Sequence, residues 1–288
     1  MSHDVDGDLV ERLVDTSRYP LANPGSPAWE RAVSEVRHDL RETGCGVLAE
    51  FVRPALHGEL RDECAQLSGR AYYDEQTVNV YNTAPDPTLP PQHPGRIPMR
   101  RGNAFVARDQ IPAESLIHRL YTSALFQRFL AGALGLPAVH PLADPYAGLC
   151  LNILRVGHEH PWHFDTNEFA VSMLTQAPEE GGDFEYCPGI RTPRSENSAE
   201  VRAVLTGDGG HLVRRLRLRP GDLQVFHGRY SLHRVGVVQG ATSRHSAIFS
   251  YSERPGVMGT VVRTRQLFGR VASGHLAADI RRTDGLLD

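Results

Sequence analysis

The sequence predicts a mostly β domain with flanking helices, a jelly roll, and three observations carry that prediction. After Pro141 short apolar runs alternate with turn residues, the texture of an antiparallel sandwich or barrel. Twenty prolines and 27 glycines supply the turns such a fold needs. Long helical periodicity, in contrast, is confined to the region before Pro141.

Taken in order, Trp29 to Leu40 places Ala32, Val33, Val36 and Leu40 at helical spacing, which predicts an amphipathic surface helix. Gly46 to Glu50 reads as a short strand. Pro54 to Leu67 reads as a helix with proline in its first turn. From Tyr81 to Ile111 the chain is rich in Pro, Asn and Arg, which predicts a long ordered loop. Ala113 to Leu134 predicts one or two helices with an apolar face of Leu116, Ile117, Leu120, Leu125, Phe126 and Phe129.

Eight strands are expected beyond that point, at 147–156, 162–166, 169–176, 183–187, 211–218, 222–226, 232–238 and 245–251, with an inserted helix from Ser195 to Leu205. The chain is then a single domain of residues 1–288. Residues 1–140 form a helical flank and substrate loop, 141–255 the jelly-roll core, and 256–288 a C-terminal extension.

Composition removes several function classes. With 31 basic against 34 acidic residues the net charge is -3, so the broad positive field of a nucleic-acid-binding protein is missing. Every basic residue is arginine, which excludes Schiff-base chemistry, a pyridoxal-phosphate anchor and a phosphate-loop lysine. Cys45, Cys64, Cys150 and Cys187 stand far apart without a CxxC pair, suiting a reducing cytoplasm rather than a disulfide framework or a thiolate zinc site. An acidic N-terminus without an apolar core, and no run of eighteen apolar residues, predict neither export nor a membrane span. The expected partner is a small-molecule substrate, with no nucleic acid and no membrane; oligomeric state is left open.

Six of the 14 histidines fall in two clusters, His158, His160 and His163, then His227, His233 and His245, and so must be sorted. In WHFD, side chains two apart on a strand share a face, so His163 and Asp165 point together while Trp162 and Phe164 point away. A third ligand from a distant strand completes a two-histidine, one-carboxylate set that leaves three positions open on iron(II). His233 in SLHRVGVV is preferred, because His233, Val235 and Val237 alternate onto one face. The rival His227 precedes Gly228, a turn signal. Downstream, Arg244 could grip a dicarboxylate with its planar fork, and Ser246 lies two residues further on the same face.

Together, HxD (His163, Asp165), the distal His233 and RxS (Arg244, Ser246) resemble the motif set of iron(II)/2-oxoglutarate-dependent oxygenases. The resemblance implies a double-stranded β-helix, a cupin-like jelly roll, over roughly residues 147–251. It also implies iron(II) held by His163, Asp165 and His233, and 2-oxoglutarate held by Arg244 and Ser246, with dioxygen as second cosubstrate. The run HPWHFDTNEFAVSMLTQAPEEGGDFEYCPG is similar to a bacterial subgroup of amino-acid halogenases and hydroxylases with a nucleotide-modifying side branch. Halogenases there carry Gly or Ala where this chain keeps Asp165, which implies hydroxylation of an unactivated C–H bond with conversion of 2-oxoglutarate to succinate and CO2. Arg100, Arg101, His160 and Asn167 are the candidate substrate contacts, the arginines for a carboxylate or phosphate.

A free amino acid or derivative is the expected substrate, with a nucleotide or carrier-bound substrate as the alternative. His158 and His160 also suggest a cupin without 2-oxoglutarate chemistry, but Glu168 follows too late for the cupin spacing, and Arg244 would have no role. HEHPW lacks the second histidine of a helical HExxH zinc protease. A non-catalytic binding protein on this fold is disfavoured by the complete triad.

Overall fold

The computed structural model describes residues 12–277 and 286–287. The acidic N-terminal segment read above lies mostly outside the described residues. Two antiparallel sheets face each other as a jelly roll. The larger contains β1 (Cys45–Leu48), β2 (Tyr72–Val78), β3 (Met99–Val106), β4 (Leu149–Leu154), β6 (Ala170–Gln176), β9 (Leu223–Phe226) and β11 (Arg244–Phe249), in the order β1-β9-β6-β11-β4-β3-β2. The smaller contains β5 (His160–His163), β7 (Phe184–Cys187), β8 (Arg214–Leu216) and β10 (Leu232–Val235), in the order β8-β7-β10-β5. Among the described residues no helix is long and apolar enough to cross a membrane.

Helix α1 (Pro27–Thr43) begins where the Ser26 side chain accepts the Trp29 N–H, has proline in its first turn, and ends at Gly44, whose φ of 73° suits a left-handed cap. Its buried face is Trp29, Ala32, Val33, Val36 and Leu40, the face read from the sequence. Helix α2 (His57–Leu67) follows a single turn from Pro54, and α3 (Leu116–Thr122) and α4 (Ala124–Leu134) form the expected pair, capped by Ser115 and Ser123. These helices cover the outer face of the large sheet, where Ala104, Val106, Leu151, Val171, Met173, Val225, Ala247 and Phe249 join the helical side chains in the main core. Helix α5 (Ser198–Thr206) covers the outside of the small sheet, burying Val201 and Val204 against Trp162, Phe164 and Leu232.

The structure corrects three expectations. The 81–111 segment is not all loop: Met99–Val106 is an eight-residue strand near one edge of the large sheet, buried through most of its length. Its inner face carries Arg101 and Asn103, so a strand that turns polar groups inward does not read as one. The core is not confined to 141–255, because β1, β2 and β3 supply three of its seven main-sheet strands. Finally, β10 ends at Val235, and Val237 is exposed, so the alternation from His233 stops one pair earlier than predicted.

Candidate metal centre and adjoining cleft

Strand pairing brings the metal-ligating side chains together. Strands β10 and β5 run antiparallel with His233 directly opposite His163, so a ladder pair sets two imidazoles side by side, their ring centroids 4.1 Å apart. Asp165 follows two residues after His163, just past the strand end, and its backbone N–H donates to the Gly228 carbonyl at 3.1 Å. Its carboxylate then reaches both rings: Oδ1 lies 3.7 Å from Nε2 of His163, and Oδ2 lies 3.6 Å from Nε2 of His233. The three ligand atoms all fall within 4.8 Å of one another. Trp162 and Phe164 point into the outer cluster, as alternation requires.

Hydrogen bonds fix which ring nitrogen each histidine offers. Nδ1 of His163 lies 2.8 Å from the Pro161 carbonyl, and Nδ1 of His233 lies 2.9 Å from the Ser231 carbonyl. A carbonyl only accepts, so each Nδ1 carries the proton and each Nε2 presents its lone pair to the shared point. Burial, reinforced by the neighbouring His160 and His233, holds His163 well below the usual imidazole pKa and so keeps it neutral. Burial pushes the Asp165 carboxyl up, but His233 and His163 outweigh it and bring the group down to about 2, an anion throughout the physiological range. Two imidazoles and one carboxylate form the donor set that suits non-haem iron(II).

Gly228 makes room for this arrangement. A Cβ at that position would stand 2.1 Å from Oδ2 of Asp165 and 2.9 Å from Cγ, closer than any side chain could be tolerated. The rival His227 lies outside the triad; its backbone N–H is tied to the Gly44 carbonyl.

Beside the triad, a cleft is lined by His160, Asp165, Thr166 and Asn167, by the apolar Phe105, Phe169, Ile248 and Leu267, and by Arg263. Of the candidate substrate contacts, His160 and Asn167 line this cleft beside the triad. His160 stacks on His163 at 3.9 Å with an interplanar angle of 6°, and its Nε2 is buried without a hydrogen-bond partner. Arg101 is buried, whereas Arg100, one residue earlier and on the opposite strand face, is exposed and ion-paired with Glu75. Arg100 is thus withdrawn from the candidate substrate contacts. Arg263, on helix α6 (Val261–Phe268), was missed because it lies in a segment without strand pattern or motif.

Arg244 lies at the end of β11, buried, with its Nη1 donating to Ser246 Oγ at 2.6 Å. It borders a second cleft, shared with Leu174, Gly182, Phe184 and Leu216. Burial lowers the Arg244 pKa to about 10, still cationic at neutral pH. The Phe184 ring, 5.8 Å from that of His233, bridges this cleft and the triad.

Comparison with known proteins agrees with this geometry. The family model described as Halogenase D matches residues 28–261. Among solved structures, the chain is similar to a 2OG-Fe(II) oxygenase family oxidoreductase from Burkholderia pseudomallei (18% identity, 82% of this chain and 94% of that one, TM-score 0.50). It is similar too to a prolyl hydroxylase from Trichoplax adhaerens in complex with a hypoxia inducible factor peptide (14% identity, 78% and 90%, TM-score 0.52). A third is the epimerase SnoN in complex with Fe3+, alpha ketoglutarate and nogalamycin RO (16% identity, 77% and 83%, TM-score 0.51). At these identities the structures establish the shared fold. No curated protein sequence gives a significant match. The family match spans most of the chain: the protein belongs to the Halogenase D family and has the fold of the iron(II)- and 2-oxoglutarate-dependent oxygenases it is similar to.

Proposed function

We propose that this chain is a hydroxylase, inserting oxygen into an unactivated C–H bond of a small polar substrate, a free amino acid or derivative. The observation that carries the reading is the Asp165 carboxylate, 3.6–3.7 Å from both histidine Nε2 atoms. When bound, iron(II) with 2-oxoglutarate and dioxygen supplies the oxidising power for C–H cleavage. The chain supplies the rest. His163, Asp165 and His233 would hold the metal, and the two Nδ1–H bonds to Pro161 and Ser231 carbonyls keep both imidazoles in the ligating tautomer. Arg244, steadied by Ser246, offers a buried cation for the far carboxylate of 2-oxoglutarate.

Halogenation needs a halide on the metal, and Asp165 fills the position that a glycine or alanine would leave open. Gly228 supports this assignment, since its missing side chain is what lets that carboxylate sit there. The substrate faces the metal from the cleft of His160 and Asn167, whose apolar walls exclude water from the reacting bond.

The test is a screen of amino acids and derivatives in chloride buffer, following 2-oxoglutarate consumption and product mass. The expected product is heavier by one oxygen atom and carries no chlorine. A chlorinated product from the native protein would overturn the assignment.

A further inference from the structure

Behind the ligand segment, on the side away from the triad, lies a buried cation. Arg191, in the connection between β7 and α5, has a side chain with no exposed surface. Its guanidinium carbon stands 3.9 Å from the ring centroid of Phe164, the residue between the ligands His163 and Asp165. The Tyr81 ring also stacks on Phe164, with centroids 6.2 Å apart and planes 18° from parallel. Arg191 Nε donates to the Arg229 carbonyl at 2.6 Å, and the Arg191 backbone N–H donates to the Tyr230 carbonyl at 3.3 Å.

Those two carbonyls belong to the turn 228–231, which meets the metal ligands at both ends. At one end the Gly228 carbonyl accepts the Asp165 N–H at 3.1 Å, and at the other the Ser231 carbonyl accepts Nδ1–H of His233 at 2.9 Å. One side chain therefore joins the segment that carries His163 and Asp165 to the turn that seats Asp165 and orients His233.

A buried guanidinium costs several kcal/mol unless its donors are used, and an apolar side chain would fill the space behind Phe164 without that cost. What the guanidinium adds is a rigid plane that lies over an aromatic face while its edge donates to three groups. One is the Arg229 carbonyl. The others are Glu196, whose Oε2 lies 3.3 Å from Arg191 Nη1, and Leu287, whose carbonyl accepts from the same Nη1 at 3.0 Å. Glu196 Oε1 accepts the Leu287 N–H at 2.6 Å, so the arginine–glutamate pair reads both backbone polar groups of a residue distant in sequence. The Leu287 side chain is partly exposed, and its backbone makes these bonds.

We propose that Arg191 is a positioning residue for the metal centre: it locks the segment 163–165 to the turn 228–231, and docking of Leu287 on Arg191 and Glu196 completes the lock. Ligands held in place before the metal arrives lose less freedom on binding it, so the lock slows metal release. This rests on the reading of His163, Asp165 and His233 as the metal ligands.

The test follows release of iron(II) from the loaded, anaerobic full-length protein into excess coloured chelator, alongside the melting temperature of each metal-free variant. Arg191→Lys keeps the charge but loses the plane and the forked donors, and should release iron about tenfold faster or more. Leu287→Pro removes the N–H that Glu196 accepts and should release iron about threefold faster or more, as for loss of one hydrogen bond. Leu287→Ala keeps both backbone groups and should release it at the native rate. A purely structural arginine would lower the melting temperature and leave release from the folded protein at the native rate. That result overturns the proposal, as does equal release from Leu287→Pro and Leu287→Ala. Should Arg191→Lys fail to fold, the Leu287 pair decides. Failure of the metal reading shows separately, as native protein that binds no iron.

Discussion

Gly228 and Asp165 form a matched pair: the Asp165 carboxylate occupies the space where any side chain at 228 would begin, 2.1 Å from an ideal Cβ. Asp165 also donates its backbone N–H to the Gly228 carbonyl, so the glycine fixes both ends of the ligand. Gly228→Ala should therefore displace the carboxylate and weaken iron(II) binding by about 10- to 100-fold, as for other supports of metal ligands. In an Asp165→Gly background the same change should cost almost nothing, because the pair acts as a unit. Iron titrations of the four proteins check this.

His163→Ala, Asp165→Ala and His233→Ala should each abolish turnover and weaken iron binding, since each removes one of three protein ligands. His227→Ala should keep both, because His227 stands outside the triad. Iron loss in His227→Ala with retention in His233→Ala would mean that the distal ligand is wrongly assigned.

Arg244 is expected to act on the cosubstrate alone. Arg244→Lys keeps a positive charge but loses the planar fork and the bond to Ser246, and should raise the apparent constant for 2-oxoglutarate. Arg244→Ala removes a charge-assisted bond of roughly 1.5–3 kcal/mol, so affinity should fall by about ten- to a hundredfold. Iron affinity should hold in both. Calorimetric titration with 2-oxoglutarate separates this from a merely structural arginine, which would leave the cosubstrate constant unchanged.

The C-terminal segment that carries Arg263 is anchored by Asp144. This fully buried carboxylate accepts from the Tyr146, Ala147 and Gly259 N–H groups and from Nε2 of His275, at 2.8–3.0 Å. Burial pushes its pKa up, but the backbone and imidazole bonds prevail and leave it below the ordinary carboxylate value. A depressed carboxylate stabilises the fold fully above its unfolded pKa of about 3.9, and that contribution disappears as pH falls through the folded value. Asp144→Asn should cost about 3–5 kcal/mol at neutral pH. Its melting temperature should approach that of the native protein as the pH drops below about 4.

Much of the site was legible because metal chemistry demands few residue types at a strand's period of two. His163 and Asp165 announce themselves that way, and the ladder that sets His233 against His163 follows from the same alternation. The side-chain chemistry of Arg101 is legible in the sequence, but the strand that carries it, Met99–Val106, is not. The inner face of a barrel that encloses a polar cavity inverts the usual pattern, so Arg101 and Asn103 read as loop although both are buried. Arg100 and Arg101 look equivalent in the sequence for the related reason that without the strand there is no way to tell inward from outward neighbours. Arg263 and the seat at Gly228 depend on tertiary approach between segments distant in sequence, which no local spacing reports.

The visible absorption of the anaerobic protein with iron(II), recorded as 2-oxoglutarate is added, tests the metal centre most directly. A weak charge-transfer band should grow to saturation in the native protein and in His227→Ala. It should be absent in His163→Ala and His233→Ala, and should require more cosubstrate in Arg244→Ala. No 2-oxoglutarate-dependent band in the native protein, or an undiminished band without His163 or His233, would contradict the metal centre described here.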